Sequence, residues 1–207
     1  MIRSWWHIQS AFYRFLRRLP GPAFCLEQER RCLRNLLDQA EFKEGLVLDI
    51  GTGSGSTLNL LAKAPQIIAL DRCEAMLRRI RVQGILRIAG DAGALPLAAN
   101  LFSFVSVIGV TEYMPDLQPV IAEIRRVSRP GAFLLITRSP PCLLNRLRIV
   151  LGHRLFLRKK EVFISALNAC GFEYREQTRS LIQEQCLFRL TPSHDDSDRS
   201  RSGREGS

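Results

Sequence analysis

The stretch Leu46-Val47-Leu48-Asp49-Ile50-Gly51-Thr52-Gly53-Ser54-Gly55 constrains this chain more than any other. Its first five residues form a short, branched apolar run that glycine ends at once, which suits a buried parallel strand better than a helix. Glycines at 51, 53 and 55 let the backbone turn sharply, and without Cβ atoms they admit a ligand to the main chain. Beyond the turn, Leu58, Leu60, Leu61 and Ala62 offer an apolar face for a helix, with Ser56 or Thr57 placed to cap its first turn. Strand, turn and helix make half of a βαβ unit, with any ligand at the helix N-terminus. Taken alone, the glycine string is equally a structural turn without a ligand.

The spacing departs from the dinucleotide fingerprint, because Ser56 stands where its third glycine would fall. Asp49 would also repel a pyrophosphate, so a cationic ligand suits the turn better. Strand, acid and Gly-x-Gly-x-Gly together resemble the first motif of the class I S-adenosylmethionine-dependent methyltransferases, of the small-molecule, methyltransferase type 11-like kind. The resemblance implies that Asp49 and the loop Gly51, Thr52, Gly53, Ser54 and Gly55 hold the aminocarboxypropyl end of S-adenosyl-L-methionine. The product would be S-adenosyl-L-homocysteine.

Further signals follow in the order such a fold requires. Gln66 to Asp71 is a second apolar run ending in a carboxylate, which at a strand tip can accept from the vicinal hydroxyls of a ribose. Asp71 could equally cap the next helix, and both roles are compatible. By resemblance, Arg72 continues the second motif and Met76 packs near the adenine. Ile85 to Ile88 reads as a third strand. The run Gly90-Asp91-Ala92-Gly93-Ala94-Leu95-Pro96-Leu97 is similar to the family's third motif, which implies that Asp91 accepts from the adenine amine and the Ala92 amide donates to the ring. A turn aspartate is the alternative.

Phe102 to Ile108 reads as a fourth strand, and ligands of open parallel sheets bind beyond strand carboxyl ends, near the reversal of strand order. Ile108, Gly109 and Val110 are therefore expected beside the cofactor, with Glu112 and Tyr113 on the substrate side or simply packing the next helix. Ser103 replaces an acid common in the family, a departure that bears on catalytic competence. A helix over Ile121 to Val127, a turn at Arg129-Pro130-Gly131 and a strand over Ala132 to Thr137 follow. Ser139-Pro140-Pro141 then breaks the chain, and the basic, leucine-rich segment 142–158 reads as one or two helices. By resemblance this segment is a substrate lid, which draws attention to Arg146, Arg148, Arg154 and His153. A helix from Lys160 stopped by Gly171, and strands near Phe172 to Thr178 and Glu184 to Leu190, complete the pattern.

The expected fold is α/β: a seven-stranded, mostly parallel Rossmann-like methyltransferase sheet with helices on both faces and an antiparallel last strand. It would occupy residues 40–190, behind accessory helices in 1–39 and ahead of a polar tail, 191–207, whose composition predicts disorder. The expected reaction is direct displacement on an O, N or C nucleophile of a small or medium-sized molecule. Alignment supplies much of such catalysis, so no base is dictated, and Glu112, Tyr113 and His153 are weak candidates.

Composition narrows the remaining choices. With 207 residues and 46% hydrophobic content the chain suits one domain with additions. It has no apolar run of the roughly 18 residues a membrane span needs and no signal peptide, so a cytoplasmic location is expected. The net charge of +10 is spread along the chain, which disfavours nucleic acid as the partner of a single patch. Six cysteines without Cys-x-x-Cys or histidine spacing predict reduced thiols and no metal site. Residues 1–20 fit a helix with Trp5, Ile8, Phe12, Phe15, Leu16 and Leu19 on one stripe and basic residues opposite, ended by Pro20-Gly21-Pro22. That helix either covers the domain edge or lies on an anionic membrane, which keeps open a peripheral enzyme methylating a lipid or quinone. A non-catalytic cofactor-binding module is the other alternative.

Overall fold

The computed structural model describes residues 20–40, 44–150 and 154–191. The helix expected over residues 1–20, except Pro20, lies outside them, as do His153 and the tail from residue 192. Seven strands form one sheet: β1 (Leu46–Ile50), β2 (Gln66–Asp71), β3 (Ile85–Ala89), β4 (Phe102–Val107), β5 (Ser128–Arg138), β6 (Phe172–Arg179) and β7 (Glu184–Leu190), in the order β3-β2-β1-β4-β5-β7-β6. β1 to β5 pair in parallel, whereas β7 runs antiparallel to both β5 and β6. This is the expected mostly parallel sheet with an antiparallel last strand.

Side-chain alternation splits the apolar residues of each strand between two cores. Leu48 and Ile50 of β1 join one face with Phe102, Val105 and Val107, beneath Ile121 and Ile124 of α3 (Gln118–Val127) and Phe163 and Leu167 of α5 (Lys160–Asn168). Val47, Ile67, Ala69 and Phe104 face the other way, against Leu33, Leu36 and Leu37 of α1 (Pro20–Leu37) and Leu77 of α2 (Glu74–Leu77). β1, β2, β4 and the second half of β5 are thus covered on both sides, which is why they read as near-continuous apolar runs, whereas the edge strand β3 leaves Leu86 and Arg87 exposed.

The structure corrects two local expectations, after the glycine turn and at Arg129-Pro130-Gly131. Pro20-Gly21-Pro22 opens α1, since a proline's missing N–H costs nothing in a first turn; the helix that this run was expected to end lies outside the described residues. After the glycine turn the apolar face makes only one 3-10 turn, Leu58–Leu61, and Thr57 at its cap position makes no cap bond. Only residues 56–65 separate Gly55 from β2, too few for a full helix and two connections. Arg129-Pro130-Gly131 is a bulge inside β5 rather than a turn before it, with Gly131 at φ +79° where the register on β4 shifts. Among its described residues, segment 142–158 holds one helix, α4 (Leu143–Val150), within the expected one or two, and a non-helical stretch from Arg154.

Candidate active site

Strand order reverses between β1 and β4, so the hollow beyond their carboxyl ends is where this topology receives a ligand. Asp49 stands there, the penultimate residue of β1 and 1% exposed. Ser106 Oγ on β4 donates to its Oδ1 at 2.6 Å, and Thr57 Oγ1 donates to Oδ2 at 3.4 Å. Burial nevertheless pushes its carboxyl from 3.8 up to about 6, and neighbouring Asp71 acts in the same direction. Among the described residues no cation pairs with it.

The glycine turn wraps this carboxylate. The amides of Gly51 and Thr52 both donate to Leu70 O of β2, at 2.7 and 3.1 Å, which ties the turn to the neighbouring strand. Gly51 has φ +69°, and a Cβ there would lie 2.3 Å from Val110 Cγ2. Glycine is therefore required twice over, by conformation and by the loop leaving β4. Asp71 latches the same turn: Oδ2 accepts from Gly53 N and Oδ1 from Cys73 N, each at 2.7 Å. Burial raises its carboxyl while these two amides oppose the rise. The methyl of Met76 would be 3.5 Å from a Cβ at Gly53.

Asp49, Gly51, Thr52, Gly53, Ser54, Gly55, Asp71, Met76 and Val110 thus cluster around one turn. Asp91 is farther out and exposed, accepting from Gly93 N at 3.0 Å and pairing with Arg72 at 3.4 Å, while Ala92 beside it is buried. Arg72 and Asp91 join the cluster through the tip of β2. Ile108 and Gly109 are half-buried at the tip of β4, where Thr137 Oγ1 of β5 accepts from Gly109 N at 2.8 Å. Ser103 lies at the opposite end of β4, where its hydroxyl donates to Glu44 O and Leu46 O at 2.9 and 3.2 Å.

On the β5 side, Glu112 does not cap the next helix. It is 2% exposed, accepts at Oε1 from Gln183 Nε2 at 2.8 Å, and leaves Oε2 without a partner. Burial raises its carboxyl, opposed by Gln183 and more weakly by Arg148 and Arg158. Tyr113 beside it is half-buried. The stretch after α4 is laced over this loop: Phe156 N donates to Glu112 O at 2.7 Å, and Arg158 donates to Thr111 O at 2.8 Å and to Met114 O. A buried Arg138–Glu184 ion pair joins β5 to β7 alongside, and Arg138 Nη1 also donates to Arg158 O at 2.6 Å.

Sequence reasoning missed Gln183, the Arg138–Glu184 pair and Arg158. Nothing in the primary structure couples Gln183 to Glu112 across 71 residues. The only signal for Arg158 was its place in the basic segment already singled out. Arg146 and Arg154 are exposed, and Arg148 donates to Asn145 Oδ1 at 2.9 Å.

The family model described as "Methyltransferase domain" matches residues 48–136. That span opens in β1, closes in β5 and contains every residue expected to hold the cofactor. Residues 48–136 therefore carry the methyltransferase domain that this model describes, on the sheet order set out above. A demethylmenaquinone methyltransferase of Renibacterium salmoninarum is 34% identical over 113 residues, covering 53% of this chain and 48% of that protein. A ubiquinone/menaquinone biosynthesis C-methyltransferase of Acidiphilium cryptum is 29% identical over 162 residues, covering 74% of this chain and 63% of that protein. The chain spans about half the length of most such relatives, 48% and 40% for the first two. Among solved structures, a chain from the complex between the Haloferax volcanii Trm112 methyltransferase activator and a methyltransferase superposes with a TM-score of 0.77 at 14% identity. The alignment covers 94% of this chain and 99% of that one.

Proposed function

We propose that this chain transfers a methyl group from S-adenosyl-L-methionine to a small or medium-sized acceptor. The observation that carries the reading is Asp49: a buried carboxylate at the strand-order reversal, bonded by hydroxyls but paired with no cation among the described residues. Such a group fits a positively charged ligand, as the family's cofactor is. S-adenosyl-L-methionine supplies a methyl group already activated on a sulfonium.

In this reading Asp49 and the amides and side chains of Gly51, Thr52, Gly53, Ser54 and Gly55 hold the charged amino-acid end. Asp71 keeps a free lone pair on each oxygen for the ribose hydroxyls while its amide bonds fix the turn. Met76, Asp91 and Ala92 border the adenine, Arg72 steadies Asp91, and Ile108, Gly109 and Val110 form the opposite wall. Glu112 Oε2 takes the proton released by an O–H or N–H acceptor, held in place through Gln183. Segment 142–158 covers the acceptor side.

A quinone or other lipid-like acceptor is the second reading, favoured by the names of the relatives. Ser103 bonds strand backbone far from the reversal point, which removes one of the two grounds for the non-catalytic reading. Calorimetry with S-adenosyl-L-methionine followed by single-turnover assays over an acceptor panel tests the proposal. Binding with transfer to at least one acceptor is expected; no binding by the folded chain would contradict it.

A further inference from the structure

α4 is amphipathic in the reverse sense. Its fully buried residue is Asn145, 0% exposed, whose Nδ2 donates to Pro140 O and Ile182 O at 2.8 Å each. Its aliphatic residues face water instead: Leu143 is 81% exposed, Leu147 50% and Val150 80%. Spaced i, i+4 and i+7, these three form one stripe on the side away from Asn145. A helix that only covered a core would bury that stripe and expose the asparagine.

The charged residues of this part of the chain are of one sign. Residues 124–160 contain no Asp or Glu, and Arg146, Arg154 and Lys159 are exposed and form no ion pair among the described residues. Phe156 adds a half-exposed ring between these cations. Aliphatic groups bordered by guanidinium and ammonium groups complement an anionic lipid surface, where the side chains enter the acyl boundary and the cations meet headgroup phosphates.

We infer that α4 together with Arg154 to Lys159 is a docking surface for anionic membranes. It is separate from the cofactor turn, and docking does not depend on the proposed reaction. The same stretch is hydrogen-bonded through Phe156 and Arg158 to the loop carrying Glu112. If methyl transfer is the function, as proposed above, docking brings the acceptor side of the site to the bilayer and suits a lipid-soluble acceptor.

The test is flotation of the full chain with vesicles of phosphatidylcholine, with and without phosphatidylglycerol. Calorimetry with S-adenosyl-L-methionine on the same samples reads the cofactor site separately. Expected is binding to phosphatidylglycerol vesicles that salt weakens, and that Leu143→Glu with Leu147→Glu reduces at least about tenfold with cofactor affinity unchanged. Arg146→Glu with Arg154→Glu should weaken it similarly. Absence of binding, equal binding to neutral vesicles, or binding that the leucine variant retains would overturn the inference. So would a dimer in sedimentation that this variant dissociates, which would assign the stripe to a second copy.

Discussion

The Ser106 hydroxyl and the Asp49 carboxylate, 2.6 Å apart, join the adjacent strands β4 and β1 where the sheet order reverses. That bond lowers the cost of burying Asp49 without removing it, since the carboxyl still rises from 3.8 to about 6. Because the folded value lies above the unfolded one, the folded state binds the extra proton. Stability from this group is full below about pH 3.8 and is lost as pH rises through about 6. Asp49→Asn should therefore stabilise the ligand-free protein by about 3 kcal/mol at most near pH 8, with little effect near pH 4. Urea unfolding at the two pH values checks this. A loss of stability near pH 8 would mean that the ionised group is welcome in the empty fold.

Gly51 is held by two independent constraints, and they can be separated. Gly51→Ala places a Cβ 2.3 Å from Val110 Cγ2 and should cost several kcal/mol or displace the β4 loop. Adding Val110→Ala should recover most of that loss, leaving about 1 kcal/mol for the positive φ. Thermal melts of the single and double variants read the difference. No recovery would show that backbone strain alone dictates glycine.

Asp71 acts on the turn before any ligand arrives. Asp71→Ala removes the acceptors of Gly53 N and Cys73 N and should weaken cofactor binding by about 1 to 3 kcal/mol. Calorimetry on a variant verified as folded would measure it, and unchanged affinity would remove Asp71 from the site.

Glu112→Gln keeps an acceptor for Gln183 Nε2 but removes the proton-accepting charge. Single-turnover rates should fall about 10² to 10⁴-fold for a hydroxyl or amine acceptor, while cofactor affinity holds. Because burial raises the Glu112 carboxyl, the wild-type rate should climb with pH through that raised value, and the variant should lack this limb. Identical pH profiles would assign Glu112 a packing role.

Much of the fold was legible because its signals are local. Three apolar residues, then Asp49 and Ile50, then glycines at 51, 53 and 55 specify a strand and a turn from one short run, and Gln66 to Asp71 specifies a strand in the same way. What stayed hidden depends on contacts distant in sequence. Glu112 stayed open between the substrate side and helix packing because its partner Gln183 is contributed by the β6–β7 hairpin. The expected helix after Gly55 shrank to one turn because periodicity reports an apolar face without reporting the room available for it. α4 was readable as a helix, but its inverted orientation depends on Asn145 finding the Pro140 and Ile182 carbonyls.

The central claim is that the buried charge of Asp49 receives a cationic cofactor. Calorimetric titration with S-adenosyl-L-methionine from about pH 5 to about pH 8 tests it most directly. Affinity should rise about tenfold as the carboxyl ionises through about 6 and then level off, with a proton released on binding at the acid end. In Asp49→Asn the rise should vanish and affinity should stay low throughout. PH-independent affinity in the wild type, matched by the variant, would contradict the claim.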